Sequence, residues 1–370
     1  MYMDEPVVYF NVQTKAVSFL QEALLPWSIQ NCKADWSAIR VFCSTRMLML
    51  NRVYCKEILT SCNIENQSDV NICITSRALS FRDNYWIKNV DSDETWDSVN
   101  LYRNVFSTDI AKTALTGKPC SVEIGDKLYT GELTGHGTRA KCFIRQDNNI
   151  FLVKVETPKE MAAEALSSLL LKYMDVDCAK YFSVLQDGVE CIACKLDTSE
   201  DLELIPCRDV LLKNGDDMKI GSPSYQEFKQ LDLINFLSMQ VFDYLTLNTD
   251  RNRDNFGLCK KNGEVVGMYP LYDHDSCFKG LSENAHYFVT GVTFKSTIYY
   301  LYAEYVEQYI RYIKPKLRKL HDVMVKRGLA LFNAYGLVDE FESFMSRLEY
   351  ALSLGEDSVL SFLEGQERYI

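Results

Sequence analysis

Asn248-Thr249-Asp250-Arg251-Asn252-Arg253-Asp254-Asn255-Phe256-Gly257, with Tyr269-Pro270-Leu271-Tyr272-Asp273 after it, is the stretch on which the reading of this chain turns. A long apolar segment, Tyr225 to Leu247, precedes it and predicts a helix, and the sequence then turns abruptly polar. Asp250 and Asn255 are five apart on the expected loop, and Asp273 lies 18 residues beyond Asn255. Between them Phe256 to Leu258 predicts a short strand, Lys260 to Glu264 a hairpin turn, and Val265 to Met268 the returning strand. A loop Asp, an Asn five positions on and a second Asp beyond a hairpin suit phosphoryl transfer. One carboxylate can face an acceptor hydroxyl while an amide oxygen and the other carboxylate hold Mg²⁺ on nucleotide phosphates. Asp250 is therefore the catalytic candidate, and Asn255 and Asp273 are the metal candidates. Plain loop and cap roles for Asp250 and Asp254 are the alternative, and they leave the second segment unexplained.

Asn-Thr-Asp-Arg-x-x-x-Asn-Phe-Gly followed by Pro-Leu-Tyr-Asp resembles the HipA-like family of bacterial Ser/Thr kinases. The resemblance implies an α+β, divergent two-lobed protein-kinase-like fold: a β-rich N-lobe, a helical C-lobe and here an N-terminal accessory region. It divides the chain into residues 1–120 (accessory), 121–198 (N-lobe) and 199–370 (C-lobe with the catalytic and metal loops).

Composition narrows the setting. A chain of 370 residues, 47% hydrophobic and 25% charged, has the make-up of a globular protein with room for several cores. A net charge of -11 argues against direct nucleic-acid binding and against adhesion to anionic membrane. With no basic-then-apolar leader, no membrane-length apolar run and 13 scattered cysteines, the expected setting is a reducing cytoplasm. Cys191 and Cys194 form a lone CxxC, and with four histidines in the chain no zinc site is expected.

In the accessory region, Val7 to Val12 predicts a strand, Val17 to Leu25 a helical stretch, and Trp36 to Cys62 a mostly helical segment. Arg40, Arg46, Arg52 and Lys56 read as its solvated face. Ala78 to Lys88 and Trp96 to Tyr102 cluster aromatics with Asn and Asp, as a packed turn-rich element or a recognition surface would. Their Asp-x-Tyr-Trp-Ile-Lys and Trp-x-x-Val-Asn-Leu-Tyr patterns resemble a Gram-positive and phage-associated branch of the same family.

The nucleotide half follows. Lys127 to Leu133 predicts a strand, Thr134-Gly135-His136-Gly137-Thr138 a glycine turn, and Lys141 to Arg145 a second strand. A tight turn at Asp147-Asn148-Asn149 leads to a third strand ending at Lys154 and Val155. Glycines let backbone amides approach phosphate oxygens, and a Lys on a following strand can reach the α/β-phosphates. The HipA-like resemblance covers Thr134, Gly135, Gly137, Ala140 and Lys154 as well. A capping box at Thr157 and Glu160, with Pro158 at the first position, predicts a helix running to Tyr173. Glu164 or Glu160 on that helix is the candidate partner of Lys154. Lys195 and Leu196, after a hairpin around Asp187-Gly188, occupy the place of the adenine-binding hinge. Past Asp273 the chain reads as a loop from Ser282 to Thr293 and then as helices, with a basic cluster from Arg311 to Arg327.

ATP and Mg²⁺ are the expected cofactors and a protein Ser/Thr hydroxyl the acceptor. The resemblance adds autophosphorylation of the glycine loop, for which Thr134 and Thr138 are the candidates, and an antitoxin or other regulatory protein as partner. A lipid or small-molecule kinase uses a similar Asp and Asn loop and remains an alternative, as does a non-catalytic nucleotide-binding module.

Overall fold

The computed structural model describes residues 1–65, 68–120, 130–135, 137–280 and 282–355. Along the accessory region lie β1 (Val8–Phe10), β2 (Val17–Phe19), α1 (Trp36–Ser44), α2 (Cys55–Ser61), α3 (Asp69–Thr75), α4 (Trp96–Val99) and α5 (Thr108–Thr116). There follow β3 (Lys141–Gln146), β4 (Asn149–Lys154), α6 (Pro158–Tyr173), β5 (Tyr181–Gln186), β6 (Val189–Lys195), β7 (Leu202–Pro206) and α7 (Cys207–Asn214). The remainder comprises α8 (Pro223–Thr246), β8 (Gly257–Lys261), β9 (Glu264–Met268), β10 (His286–Tyr287), β11 (Val292–Thr293), α9 (Phe294–Glu304), α10 (Val306–Gln308), α11 (Lys314–Ala334) and α12 (Phe341–Ser353). Among the described residues no helix is long and apolar enough to cross a membrane.

Two compact units partition the chain. The first comprises Met1–Glu156, Phe182–Gly215 and Cys259–Val265; the second comprises Thr157–Tyr181, Asp216–Leu258 and Val266–Ile370.

The first unit is built around an antiparallel sheet in the order β3-β4-β6-β5. Local chemistry sets its hairpins. Asp147 and Asn148 both adopt positive φ, as do Asp187 and Gly188, and the same holds for Asn262 and Gly263 between β8 and β9. Two left-handed residues in a two-residue loop make the type I′ turn, whose twist matches that of the flanking strands. β4 pairs with β3 from Gln146↔Asn149 to Lys141↔Lys154, and with β6 from Phe151↔Lys195 to Lys154↔Ile192. One face of this sheet packs on α2 and α5 through Leu59, Ile110, Leu115, Cys142 and Val153. The hairpin tip at Asn262 joins the same unit, its N–H reaching Asp201 O at 2.8 Å.

Several expectations for this unit change. Trp36 to Cys62 is two helices, because Arg46 and Arg52 lie in the intervening loop and turn inward. Neither belongs to a solvated face: their relative exposures are 1% and 3%. Arg46 grips Asp83 with both ends of its guanidinium at 2.7 and 2.8 Å, and donates further to Ala78 O and Tyr85 O. Asp83 keeps its carboxyl below the usual range: burial pushes it up, but the Arg46 charge and hydrogen bonds, the Arg82 charge and the Tyr85 N–H together outweigh that. The Asp83-Asn84-Tyr85-Trp86 motif is thereby a brace, with Asn84 donating to Glu200 O and Trp86 Nε1 to Met3 O. Val17 to Leu25 is β2 and a single 3-10 turn, since the strand pairs with β1 from Val8↔Phe19 to Phe10↔Val17. Of the strand expected over Lys127 to Leu133, Lys127 to Tyr129 lie outside the described residues. Glu132 to Thr134 is instead a 3-10 turn, entered where Thr130 Oγ1 accepts the Glu132 N–H.

In the second unit α8 is broken at Asp232 (φ -159°), where one continuous helix was expected. The Asp232 carboxylate accepts from the N–H and side chain of Asn235, and also from Met268 N–H at 3.1 Å. A side chain that caps a new turn from inside a helix interrupts the backbone ladder. Beyond the break, Phe236 to Thr246 is wholly buried and packs on α9 and α12. The first of the helices expected past Thr293 breaks at Tyr305 and passes through α10 and a π-turn. Part of the basic cluster is structural: Lys319 binds Asp175 at 2.6 Å, Lys316 donates to Asp175 O, and Lys314 to Leu354 O.

Arg46→Met strands the Asp83 carboxylate in the interior and should cost about 3–5 kcal/mol, the usual penalty for breaking a buried pair from one side. Urea denaturation followed by tryptophan fluorescence checks this, and adding Asp83→Leu should recover most of the loss.

Candidate active site

The first unit carries the expected nucleotide-binding residues. Lys154 ends β4, is 5% exposed, and places Nζ 2.9 Å from Glu156 Oε1. Glu156 has no motif around it and sequence reading passed over it. A strand pair on both sides holds the lysine backbone, so the alignment of its side chain is set by the sheet. Gly137 adopts φ 98°, which favours glycine. Gly135 lies against Arg52, whose guanidinium would stand 3.1 Å from an added Cβ. Arg52 also reaches Glu132 Oε2 at 3.3 Å and Lys141 O, tying the approach to the glycine stretch to β3. His136 lies outside the described residues.

The two threonines of this stretch differ. Thr134 is buried and donates its hydroxyl to Leu79 O at 2.6 Å, whereas Thr138 is exposed. Lys195 is exposed and pairs with Phe151 across the sheet; the N–H of Leu196 is already donated to Ile150 O at 2.9 Å. Any hinge contact from Leu196 must then come from its carbonyl.

The second unit carries the catalytic and metal candidates. α8 stops at Leu247, which takes a left-handed conformation and turns the chain into the polar loop. Asp250 is held there by amides on both sides. Asn252 Nδ2 donates to Oδ1 at 2.8 Å, and Asn255 Nδ2 donates to Oδ2 at 3.1 Å and to the Asp250 carbonyl at 2.6 Å. With its nitrogen engaged in this way, Asn255 has Oδ1 to present to a cation. The spacing of five is thus the span of a loop that folds back on itself.

Asp273 is also in a left-handed conformation, φ 62°, a strained state that persists where surroundings over-determine it. Each adjoining peptide is fastened. The Asp273 N–H donates to Tyr181 OH at 3.0 Å, Tyr272 O accepts from Arg251 at 2.8 Å, and the His274 N–H donates to Glu164 Oε2 at 2.8 Å. Glu164 is completely buried on α6, and one of its carboxylate oxygens lies within 4.8 Å of one from Asp273. Glu160 forms the predicted capping box with Thr157 and reaches Lys279 at 3.8 Å. The two candidate metal donors, the Asn255 amide oxygen and the Asp273 carboxylate, are both oxygens and suit a hard divalent cation such as Mg²⁺.

Arg251 joins the two loops. Its Nη1 donates to Asn255 O at 2.6 Å as well as to Tyr272 O, so one group spans residues 17 positions apart. Nε and Nη2 bind Asp243 of α8 at 3.0 and 3.1 Å, and Nη2 lies 3.1 Å from His274 Nδ1. Burial pulls against the charge, but the Asp243 carboxylate more than offsets it and holds Arg251 protonated. Asp243 in turn accepts from Tyr287 OH at 2.7 Å and Asn248 Nδ2 at 3.2 Å. Tyr287 stands in the segment from Ser282 to Thr293 that reads as a loop; β10, β11 and this bond tie it to the core. Asp243, Glu164 as a backbone acceptor, and Tyr287 carry no signal in the sequence beyond their residue type.

Among solved structures, the chain is similar to HipA of Shewanella oneidensis MR-1, determined with HipB and operator DNA of its toxin-antitoxin system. The TM-score is 0.62 at 11% identity, over 95% of this chain and 96% of that one. It is also similar to the Helicobacter pylori proinflammatory kinase CtkA, with a TM-score of 0.45 at 16% identity, over 60% of this chain and 94% of that one. No protein-family model matches the chain, and no curated protein matches it in sequence. The α+β, kinase-like fold expected from the sequence is therefore the fold it shares with HipA.

Tyr287→Phe removes one hydrogen bond to a buried carboxylate and should lower stability by about 1.5–3 kcal/mol. The shift of the urea midpoint at constant slope reads it, and an unchanged midpoint would contradict the contact.

Proposed function

We propose that the chain is a HipA-like, ATP- and Mg²⁺-dependent Ser/Thr protein kinase. The observation that carries this reading is the pair of loops fastened by Arg251, which presents the Asp250 carboxylate, the Asn255 amide oxygen and the Asp273 carboxylate from one framework. Asp250 accepts the proton of the acceptor hydroxyl, oriented for that task by the Asn252 and Asn255 amides. Asn255 and Asp273 hold the metal, and Lys154 with the Thr134 to Thr138 stretch takes the nucleotide phosphates. Bound Mg²⁺ supplies neutralisation of the charge that builds on the transferred group. The residues themselves position groups and exclude competing arrangements; none forms a covalent bond.

The exposed Thr138 is the favoured site of autophosphorylation in the glycine stretch, because the Thr134 hydroxyl is buried and engaged. HipA of Shewanella oneidensis was crystallised with HipB and operator DNA, and by analogy the regulatory partner here is an antitoxin-type protein. Cytoplasmic location accords with a kinase that draws on cellular ATP.

Intact-mass analysis before and after incubation with Mg-ATP tests this, using the wild-type chain and a Ser/Thr-rich protein acceptor. Phosphate should appear on the chain or the acceptor, and Asp250→Asn or Asp273→Asn should reduce the rate by at least about 10²-fold while leaving the circular dichroism unchanged. Full activity in either variant would overturn the assignment. Lipid phosphorylation with no protein phosphorylation would favour the other kinase class. Of the two threonines, only Thr138→Ala should abolish the phosphate gained on the chain itself.

A further inference from the structure

Lys141 and Lys154 stand directly opposite each other on β3 and β4, at the end of the sheet next to the glycine stretch. The bonding along β3 shows which kind of pair they form. Lys141 O accepts from Arg52 Nη2, and Phe143 N–H donates to Glu132 Oε1 at 2.8 Å, so at these two residues the main chain bonds away from β4. One residue before Lys141, Ala140 O accepts the Val155 N–H at 2.9 Å. Main-chain groups of an antiparallel strand alternate in direction, which makes Lys141 and Lys154 a non-hydrogen-bonded pair. Such pairs bring side chains closest, with Cα atoms about 4.5 Å apart. Opposed side chains share one face of the sheet, and like charges so placed are destabilising. Nearby, Glu156 lies 2.9 Å from Lys154 Nζ and Glu132 lies 3.3 Å from Arg52 Nη2. Lys141 adds a positive charge to the same corner.

The glycine stretch presents itself to that corner in a particular way. Thr130 to Gly135 are buried, so among its described residues an anion can meet it only at Gly137, Thr138 and Arg139. Lys141 Nζ lies against Gly137, in the space that a Cβ there would fill. The Gly137 N–H points to Met49 Sδ at 3.3 Å. A thioether is a weak acceptor, whereas a phosphate oxygen accepts a short, charge-assisted bond, so this amide is readily transferred to a phosphate. The loop between α1 and α2 supports the stretch from both sides: Leu48 N–H donates to Leu133 O at 2.7 Å and Val53 N–H to Thr138 O at 2.9 Å. An amide and an ammonium are thereby held together beside Lys154.

We propose that Lys141 is a second phosphate-binding residue of the nucleotide site, taking with the Gly137 N–H a different phosphate group of the triphosphate from the one that Lys154 takes. On the kinase reading, on which this assignment rests, a polyphosphate lying between the two ammonium groups turns their mutual repulsion into a shared attraction. A monophosphate reaches only one of them. The site therefore ranks nucleotides by the number of their phosphates, and the support for the second contact comes from the accessory region.

Isothermal titration calorimetry of the full chain with ATP, ADP, AMP and inorganic tripolyphosphate, each with Mg²⁺, tests this on the wild type, Lys141→Met and Lys141→Arg. The wild type should bind ATP more tightly than ADP, and ADP more tightly than AMP. Lys141→Met should weaken ATP and tripolyphosphate about tenfold or more, as the loss of one hydrogen bond between charged groups does, while AMP changes less than about twofold. Lys141→Arg, which keeps the charge, should recover most of the loss. In the wild type, saturating ATP should protect Lys141 from acetylation by acetic anhydride, read by peptide mass mapping, and this measurement stands even where a variant fails to fold. Equal ATP affinity in the wild type and Lys141→Met, or no protection of Lys141, would overturn the assignment and leave the kinase reading standing. Binding of tripolyphosphate but not ATP, still dependent on Lys141, would keep the anion site and sink the kinase reading instead. Binding of none of the four by the wild type would overturn both.

Discussion

Five N–H groups of one buried guanidinium hold the Asn248–Gly257 and Tyr269–Asp273 loops in register. Arg251 has five donors to place, and the five contacts to Asp243 (two), Asn255 O, Tyr272 O and His274 Nδ1 use them all. Taking such a group out of water is costly, and the cost is offset only when every donor finds an acceptor and a countercharge stands close. Both conditions are met at zero exposure. Donation from Nη2 requires that His274 Nδ1 carry no proton, so its ring hydrogen is on Nε2. A lysine would offer three donors from a point and could not span the same acceptors.

The consequence is mechanical coupling within the second unit. Asp243 lies on a helix whose last turns are wholly buried, so the anchor for Arg251 has little freedom. The guanidinium fixes the carbonyls of Asn255 and Tyr272, and those peptides set where the Asn255 amide and the Asp273 carboxylate lie. Tyr287 extends the same chain of contacts to the segment before α9. A change in that segment reaches the loops through one carboxylate. Because Asp273 is held in a left-handed conformation by bonds to three different partners, its placement depends on the whole arrangement and not on its own preference.

The first unit uses the same device twice more. Arg46 holds the turn at Ala78 and the brace at Asp83, and Arg52 holds the approach to the glycine stretch. Tyr2 and Glu203 meet Lys260 of the β8–β9 hairpin at 3.1 and 3.0 Å, so the start of the chain is built into this unit and is not an appendage. The aromatic motifs from Ala78 to Tyr102 are the material of that construction: Trp86 and Trp96 are buried and bonded to Met3 and Glu200. Of the two roles open to them in the sequence, packing is the one they perform.

Local physics was legible without coordinates. The three Asx- and Gly-containing hairpin turns, the Thr157 and Glu160 capping box and the end of α8 before Asn248 depend on neighbours within a few residues, and each lies where the sequence places it. The spacing of Asp250, Asn255 and Asp273 pointed to the loops because a loop that folds back on itself and a hairpin have lengths set by geometry. Burial of charge was not legible. Arg46, Arg52 and Arg251 have the same side chain as any solvated arginine, and their acceptors lie 37, 80 and 8 residues away at Asp83, Glu132 and Asp243. The break at Asp232 and the inward turn of the Trp36 to Cys62 loop were hidden for the same reason. A hydrophobic pattern records which face is apolar, but whether a polar group finds a partner inside is decided only when distant segments meet, and that belongs to the tertiary structure.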